Sequence, residues 1–206
     1  GVSATKGRSK RPDDGGIEVC TGEYTTISTN NPYGILVTQE TYGKSYNWAY
    51  DQGVNKTVMH VTSVYTTVAA EIDLFGGILR SVTEGKNKRV DSQGAELVTG
   101  KYTTESLNDD YGTLTSQVTY GRSYNKVEGI NDPILVGAYT TMAPWIDKFG
   151  VVRDTRTVGV SYKPDPDNTA VNKIGGKYTT TSLNNGYGTL TTQETLGESY
   201  NKIFFV

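Results

Sequence analysis

An internal repeat constrains this chain more than any other feature of its sequence. Tyr-Thr-Thr occurs five times, at residues 24, 65, 102, 139 and 178, with gaps of 41, 37, 37 and 39 residues. An aromatic-glycine pair follows each tyrosine after nine or ten residues, and a further glycine stands nine residues beyond that pair. Five copies in register indicate units that fold alike and share a core, because one such unit cannot bury its apolar face alone.

The copies are of two kinds, which alternate along the chain. The first, third and fifth have an Asn/Asp-rich segment before Tyr-Gly and end in Ser-Tyr-Asn, and we call them A units. The second and fourth have Ile-Asp-x-Phe-Gly at the corresponding place, ending at Gly76 and Gly150, and we call them B units. Folding alone does not obviously require two kinds of unit, so the features that alternate are the better candidates for function.

Each unit is predicted to consist of strands and turns. Tyr, Thr and aliphatic residues alternate with polar ones, and no 3.6-residue periodicity is visible over a useful length. The Asn/Asp/Gly segment predicts a hairpin turn, because these residues tolerate a positive φ. The second constant glycine, for example Gly43, predicts a turn or bulge at the end of the return strand. Three or four short strands per unit follow from this interpretation.

The predicted fold is therefore all-β, with five repeats of about 38 residues, and a five-bladed β-propeller is the first choice. A closed β-barrel or a β-prism of repeated hairpins is the alternative, since ~40–45 residues are typical of a four-stranded blade. We predict a single five-repeat domain over residues 17–206. Its units span approximately residues 17–57, 58–94, 95–131, 132–170 and 171–206.

Residues 1–16 lie outside this repeat. Basic residues are interspersed there with Gly, Ser, Pro and Asp, and no Ile, Leu, Phe, Tyr or Trp occurs before Ile17. This composition is typical of a flexible tail. The basic run Arg8-Ser9-Lys10-Arg11 also resembles a processing site, but a solvated arm is the simpler interpretation.

Composition argues against several classes of function. The net charge is −2 and no Lys/Arg stripe runs through the repeats, so a nucleic-acid partner is not expected. Cys20 is the only cysteine and His60 the only histidine, which leaves no internal disulfide and too few ligands for a Cys/His metal site. We expect no enzyme activity and no cofactor. We also expect no transmembrane segment, because no apolar run reaches the ~18–20 residues of a membrane helix.

The polar and aromatic residues of the A units are the predicted binding site. Flat aromatic rings stack against the C–H faces of sugars, and amide and carboxylate groups hydrogen-bond sugar hydroxyls. Three weak sites would gain avidity on a multivalent target. The tyrosines of Tyr-Thr-Thr occur in all five copies and are assigned to packing instead. The predicted ligand-binding residues are Asn30, Asn31, Tyr33, Tyr46, Asn47, Asn108, Asp109, Tyr111, Tyr124, Asn125, Asn184, Asn185, Tyr187, Tyr200 and Asn201.

A multivalent, lectin-like protein that binds glycans or polysaccharide surfaces is the function these residues favour. A structural or adhesive protein of a matrix or surface coat is the alternative, and a β-rich membrane-active toxin is a further one. Secretion is expected from the repeated β architecture, the non-Met first residue and one glycosylation pattern at Asn55-Lys56-Thr57. The sequence alone leaves the ligand, the oligomeric state and the role of Cys20 open.

Overall fold

A computed structural model of the chain describes residues 1–13, 15–51, 56–91, 94–127, 132–165 and 168–200. Within these residues the protein is all-β, without helices, as predicted. The eleven strands are β1 (Val2–Pro12), β2 (Glu18–Asn30), β3 (Leu36–Asp51), β4 (Lys56–Ile72), β5 (Ile78–Val90), β6 (Glu96–Asn108), β7 (Leu114–Asn125), β8 (Ile134–Ile146), β9 (Val152–Asp165), β10 (Asn168–Asn184) and β11 (Leu190–Ser199).

The strands form one open antiparallel sheet in which they follow one another in chain order, from β1 to β11. The prediction of a propeller is therefore wrong, because its blades would be separate sheets, and neither a closed barrel nor a prism is supported. Each predicted repeat unit instead contributes one long hairpin, such as β2–β3 or β4–β5. The strands are fewer and longer than predicted, because the second constant glycine lies within a strand and does not end it.

The basic N-terminal segment forms a strand where a flexible tail was predicted. β1 pairs antiparallel with β2 along its whole length, from Val2 opposite Thr29 to Pro12 opposite Glu18. Backbone hydrogen bonds to β2 order a segment that has few apolar side chains to bury. Side chains add to this pairing, since Lys10 Nζ lies 2.9 Å from Glu18 Oε2.

The chain divides into two compact units. Unit 1 comprises Gly1–Thr103 and Asp110–Gly112, and unit 2 comprises Thr104–Asp109 and Thr113–Val206. Each contains hairpins of both A and B type. Among the described residues no hydrophobic side chain is fully shielded from solvent, so these hairpins do not enclose the apolar core that the repeat predicted.

The tyrosine of each Tyr-Thr-Thr packs on a glycine of the preceding strand. A β-carbon placed on any of these glycines would lie only 2.1–2.3 Å from the nearest tyrosine ring atom, so only glycine leaves room for the ring. The pairs in unit 1 are Tyr24 on Gly7, Tyr65 on Gly43 and Tyr102 on Gly85; those in unit 2 are Tyr139 on Gly121 and Tyr178 on Gly159. This is the packing role predicted for these tyrosines, and it accounts for four of the five constant glycines, Gly43, Gly85, Gly121 and Gly159.

The last threonine of each Tyr-Thr-Thr explains the rest of the motif. It lies on the same face as the tyrosine, and its hydroxyl shares a hydrogen bond with a threonine on the following strand, at 2.8–2.9 Å. The pairs are Thr26–Thr41, Thr67–Thr83, Thr104–Thr119, Thr141–Thr157 and Thr180–Thr195. Cross-strand pairs of this kind, in place of an apolar core, link neighbouring strands.

Candidate functional site: the aromatic turns

The five hairpins of the repeat close through one type of turn, built around an Asn or Asp side chain. In the first, Asn31 Oδ1 accepts hydrogen bonds from the backbone N–H of Tyr33 at 2.9 Å and of Ile35 at 3.0 Å. The corresponding residues are Asn31, Asp73, Asp109, Asp147 and Asn185. Each accepts a bond from the residue four positions later, and the hairpin turn predicted from the Asn/Asp/Gly cluster is confirmed.

A glycine three residues after the Asn or Asp completes each turn. Its φ lies between 75° and 87° in all five copies, a region that side-chain-bearing residues adopt at a cost. Gly34 and Gly112 have nothing within 4 Å of an added β-carbon, so backbone conformation alone accounts for glycine there. A and B units share this geometry, although their sequences differ at the turn.

One aromatic ring projects into solvent from each of these turns, at the position before the glycine. Tyr33, Tyr111 and Tyr187 of the A units are 88%, 93% and 95% exposed. Phe75 and Phe149 of the B units are 89% and 76% exposed. We call these five residues the turn aromatics. Phe75 and Phe149 were absent from the predicted site, although the shared spacing Asx-x-aromatic-Gly could have identified them.

The turn itself does not need an aromatic residue. The turn from Asp13 to Ile17 makes the same bonds, with Asp13 Oδ1 accepting from Gly15 N at 2.9 Å and from Ile17 N at 2.8 Å. Gly15 stands there in the aromatic position. A ring that stands in water contributes little to folding, so the turn alone does not account for an aromatic residue in all five copies. The turn aromatics are thus candidates for contact with a ligand.

Neighbouring turns lie against one another within each unit. In unit 1 a β-carbon on Gly76 would lie 3.0 Å from Leu36 N, which follows the Asn31 turn. In unit 2 a β-carbon on Gly188 would lie 3.6 Å from Val151, which follows the Asp147 turn. Successive turns are two strands apart, or roughly 10 Å at the usual strand spacing. The distance between successive turn aromatics in each unit is therefore comparable with the length of two sugar residues in an extended polysaccharide.

The B turn of unit 2 lies among charged side chains. Lys148 Nζ lies 5.0 Å from the centre of the Phe149 ring, and Arg153 Nη1 lies 3.3 Å from Asp147 Oδ2. Partial burial acts to raise the pKa of Asp147, but hydrogen bonds from Phe149 N and Val151 N and the charge of Arg153 outweigh it and lower the pKa. A cation thus already lies over one face of the Phe149 ring.

Most of the Asn and Asp residues at the turns that were predicted to bind ligand stabilise the turns instead. Asn31, Asp109 and Asn185 use Oδ1 to hold the turn. Asn184 Nδ2 donates to the carbonyl of Val152 at 3.0 Å. Asn30 and Asn108 are half-buried last residues of β2 and β6, directly before their turns. These side chains position the turn aromatics rather than project with them.

The Ser-Tyr-Asn residues do not join the turns in one site. Tyr46 lies ten residues after Leu36 on β3, a distance of roughly 33 Å along an extended strand. Tyr124 and Asn125 likewise end β7, far from the turn at its start. Asn47 and Asn125 are exposed, and Asn201 lies outside the described residues. The predicted set therefore separates into two groups at opposite ends of the strands.

Tyr46 and Tyr200 of this second group each donate a hydrogen bond to a carboxylate. Tyr46 Oη donates to Glu23 Oε1 at 2.5 Å, and this bond, with smaller effects of burial and charge, raises the pKa of Tyr46 to about 12. Tyr200 Oη donates to Glu198, which raises the pKa of Tyr200. Tyr46 is tied to its neighbouring strand and is less free to meet a ligand than the turn aromatics.

The described residues contain neither a metal-binding cluster nor a helix that could span a membrane. None of their His, Cys, Asp and Glu side chains form a group of three or more that could hold a metal ion. In the same part of the chain, no helix has the length and hydropathy to cross a membrane.

Comparison with known proteins adds little to this description. No family model and no curated protein matches the chain. A similar solved structure is a porin-like protein from Bacteroides uniformis ATCC 8492, at 12% identity over 97% of this chain and 90% of that chain, with a TM-score of 0.19. A similarity this low carries no conclusion about fold or function.

Proposed function

We propose that this chain is a multivalent carbohydrate-binding protein that contacts its ligand through the turn aromatics. One observation carries the proposal: the same turn presents a solvent-exposed ring five times, and the Asp13 turn forms without one. Flat rings suit the C–H faces of pyranose sugars, and the phenol hydroxyls of Tyr33, Tyr111 and Tyr187 add hydrogen-bonding groups. No ionic ligand is required, because the turns are not uniformly charged.

The spacing of the turns favours an extended polysaccharide over a single terminal sugar. Rings roughly 10 Å apart meet successive parts of one polymer, and each contact after the first is intramolecular. Weak individual contacts are then sufficient, which suits rings that stand in the open and not in a pocket. The surface of an extracellular polysaccharide also fits the expectation of secretion.

The test is binding of the intact chain to a glycan array and to insoluble polysaccharides in a sedimentation assay. The triple variant Tyr33→Ala, Tyr111→Ala, Tyr187→Ala is expected to lose affinity by about tenfold or more, because avidity multiplies the loss of weak contacts. Replacing the same tyrosines by Phe keeps the rings and is expected to preserve most of the binding.

Leu74→Ala provides the matched control, since Leu74 is 88% exposed beside Phe75 but carries no ring. It should bind as the unchanged chain does. The proposal fails if the triple Ala variant keeps full affinity or if the array shows no binding. Self-association without glycan binding would favour the structural or adhesive alternative, and leakage of liposomes would favour the membrane-active one.

A further inference from the structure

The two B hairpins share one type of turn but differ in the side chains that flank it. In unit 1, Glu71 on β4 stands opposite Arg80 on β5. At the corresponding place in unit 2, Trp145 on β8 stands opposite Asp154 on β9. Two oppositely charged residues in one hairpin are thus replaced by an indole ring and a carboxylate in the other. Because the turn is the same in both, turn formation does not account for this difference.

The guanidinium group of Arg153 lies beside both this indole ring and the last two turns of the repeat. Its Cζ lies 5.3 Å from the centre of the Trp145 ring, and its Nη1 lies 3.3 Å from Asp147 Oδ2. A β-carbon on Gly186, in the neighbouring A turn, would lie only 3.2 Å from the same Nη1. Glycine there is not a requirement of the turn, because the other two A units have Pro and Asp at this position. Arg153 thus links the indole ring to two turns that each present an aromatic residue.

The Trp145 ring is accessible, and polar atoms that lack partners lie near it. Trp145 is 55% exposed, although the guanidinium group lies beside its ring. Arg153 Nε and Asp154 Oδ1 are buried and have no hydrogen-bond partner among the described residues. Buried donors and acceptors are rarely left unpaired in folded proteins, because pairing would recover the free energy that their burial costs. A flat apolar surface, a donor and an acceptor therefore occur together in this hairpin.

We infer that Trp145, Arg153 and Asp154 form a sugar-binding subsite, which we call the indole subsite. One pyranose ring stacks on the indole, which presents a large flat aromatic surface. Its hydroxyls pair with the Arg153 and Asp154 side chains, which are half-buried and reach them by small rotations about their own bonds. This inference rests on the proposed binding of polysaccharide by the turn aromatics, and it adds the residues that select among sugars.

The charges around the indole subsite favour a neutral sugar over an acidic one. Arg153 already contacts the carboxylate of Asp147, so its charge is compensated within the protein. Lys148 Nζ lies 5.0 Å from the centre of the Phe149 ring, in the turn itself. The carboxylate of Asp154 accepts hydrogen bonds from hydroxyls but repels a second carboxylate or a sulfate. The ligand is therefore a polysaccharide of neutral hexoses, and uronic acids and sulfated sugars bind more weakly.

The test is affinity electrophoresis of the intact chain in gels that contain hydroxyethyl cellulose, mannan or galactan, with polygalacturonate as the acidic comparison. Trp145→Ala is expected to weaken binding to the neutral polysaccharide by about tenfold or more, because an aromatic anchor is lost. Asp154→Asn keeps an oxygen acceptor and removes the charge, so it should retain neutral binding and bind polygalacturonate more tightly than the unchanged chain does.

Glu71→Ala is the matched control, since Glu71 holds the position of Trp145 in the other B hairpin. It should bind as the unchanged chain does. Circular dichroism and the denaturation midpoint verify that each variant folds. Equal losses of binding in Glu71→Ala and Trp145→Ala would overturn the inference, because they would trace the effect to the hairpin and not to the indole ring.

Tryptophan fluorescence gives a readout that a purely structural role of Trp145 would not change. The chain has two tryptophans, so Trp48→Phe leaves Trp145 as the only reporter. We expect its emission to shift to shorter wavelength as the neutral polysaccharide is added, because a stacked sugar excludes water from the indole. Unchanged emission at a polysaccharide concentration that saturates binding would overturn the inference.

Failure of the indole subsite is distinguishable from failure of the proposed function. If the triple Ala variant of the turn tyrosines loses binding while Trp145→Ala keeps it, the subsite is wrong and the proposed function stands. A preference of the unchanged chain for polygalacturonate would likewise overturn only the subsite. If the unchanged chain binds none of the four polysaccharides and no glycan of the array, both fail.

Discussion

The ring of Tyr65 occupies the space that a side chain on Gly43 would need: a β-carbon there would be 2.1 Å from Tyr65 Cζ. Alanine at Gly43 must displace the ring, and overpacking of this kind costs about 1–3 kcal/mol of the free energy of unfolding. Gly197→Ala meets no ring among the described residues and should stay within about 0.5 kcal/mol of the unchanged chain. Urea denaturation of the two variants measures this contrast.

The penalty at Gly43 should depend on the tyrosine. In a Tyr65→Leu background, Gly43→Ala is expected to cost much less than in the unchanged chain, because a flexible side chain can move away. An equal cost in both backgrounds would show that the ring is not what excludes a β-carbon.

The Thr67–Thr83 hydroxyl pair should contribute a measurable coupling energy. The two Oγ1 atoms are 2.8 Å apart on half-buried side chains. A hydrogen bond of this kind contributes about 0.5–1.5 kcal/mol, and either single Thr→Val change leaves the other hydroxyl without that partner. A double-mutant cycle in urea should therefore show non-additivity of about 0.5 kcal/mol or more. Additive single changes would contradict the pairing.

Asp73 should stabilise its hairpin through the side-chain bonds at the turn. Its Oδ1 accepts from Phe75 N at 2.8 Å and from Gly77 N at 2.7 Å. Asp73→Ala removes the oxygen that accepts both bonds and is expected to cost about 1–2 kcal/mol, as loss of a capping side chain does at helix N-termini. Asp73→Asn retains the oxygen and should cost clearly less. Thermal denaturation of both variants measures the difference, and equal losses would mean that the oxygen is not what matters.

The turn and repeat geometry could be predicted from sequence, but the strand count could not. Asn or Asp followed three residues later by Gly signals the turn directly. The glycine at 43 was predicted to end a strand, because glycine alone disfavours strands. Tyr65, which lies 22 residues later, packs on Gly43 and keeps it in mid-strand. The spacing of residues in the sequence does not reveal this contact. Whether the sheet is open or closed depends on whether its first and last strands pair, and the local sequence carries no signal for such pairing.

The sequence does contain a signal for the N-terminal strand, although the polar composition of residues 1–16 favoured a flexible tail. Gly7 precedes Tyr24 by 17 residues, the same interval that separates Gly85 from Tyr102. Both glycines lie beneath those tyrosines. The long strands also separate the predicted binding residues: Tyr33 lies in the turn before β3, and Tyr46 lies ten residues beyond the first residue of that strand.

Tyr46 should ionise about two pH units above an ordinary tyrosine. Its hydroxyl donates to the carboxylate of Glu23, so ionisation breaks a bond and places two negative charges together, and its pKa is raised from 10.0 to about 12. A folded pKa above the unfolded one means that this bond stabilises the protein fully below pH 10 and is lost as the pH rises toward 12.

The absorbance of tyrosinate during an alkaline titration measures this pKa, as the difference between the unchanged chain and Tyr46→Phe. Glu23→Gln removes the charge and is expected to return the pKa of Tyr46 toward 10.0. A difference curve centred near pH 10 in the presence of Glu23 would show that the bond does not form in solution.

Tyrosine rings lie on the glycines of one sheet and, among the described residues, leave Gly197 uncovered. The α-proton chemical shifts of the glycines measure this most directly, since protons beneath an aromatic ring shift upfield. We predict upfield shifts for Gly43, Gly85, Gly121 and Gly159, an ordinary shift for Gly197, and loss of the Gly43 shift in Tyr65→Leu. Ordinary shifts at all five glycines, or an equal upfield shift at Gly197, would contradict the account.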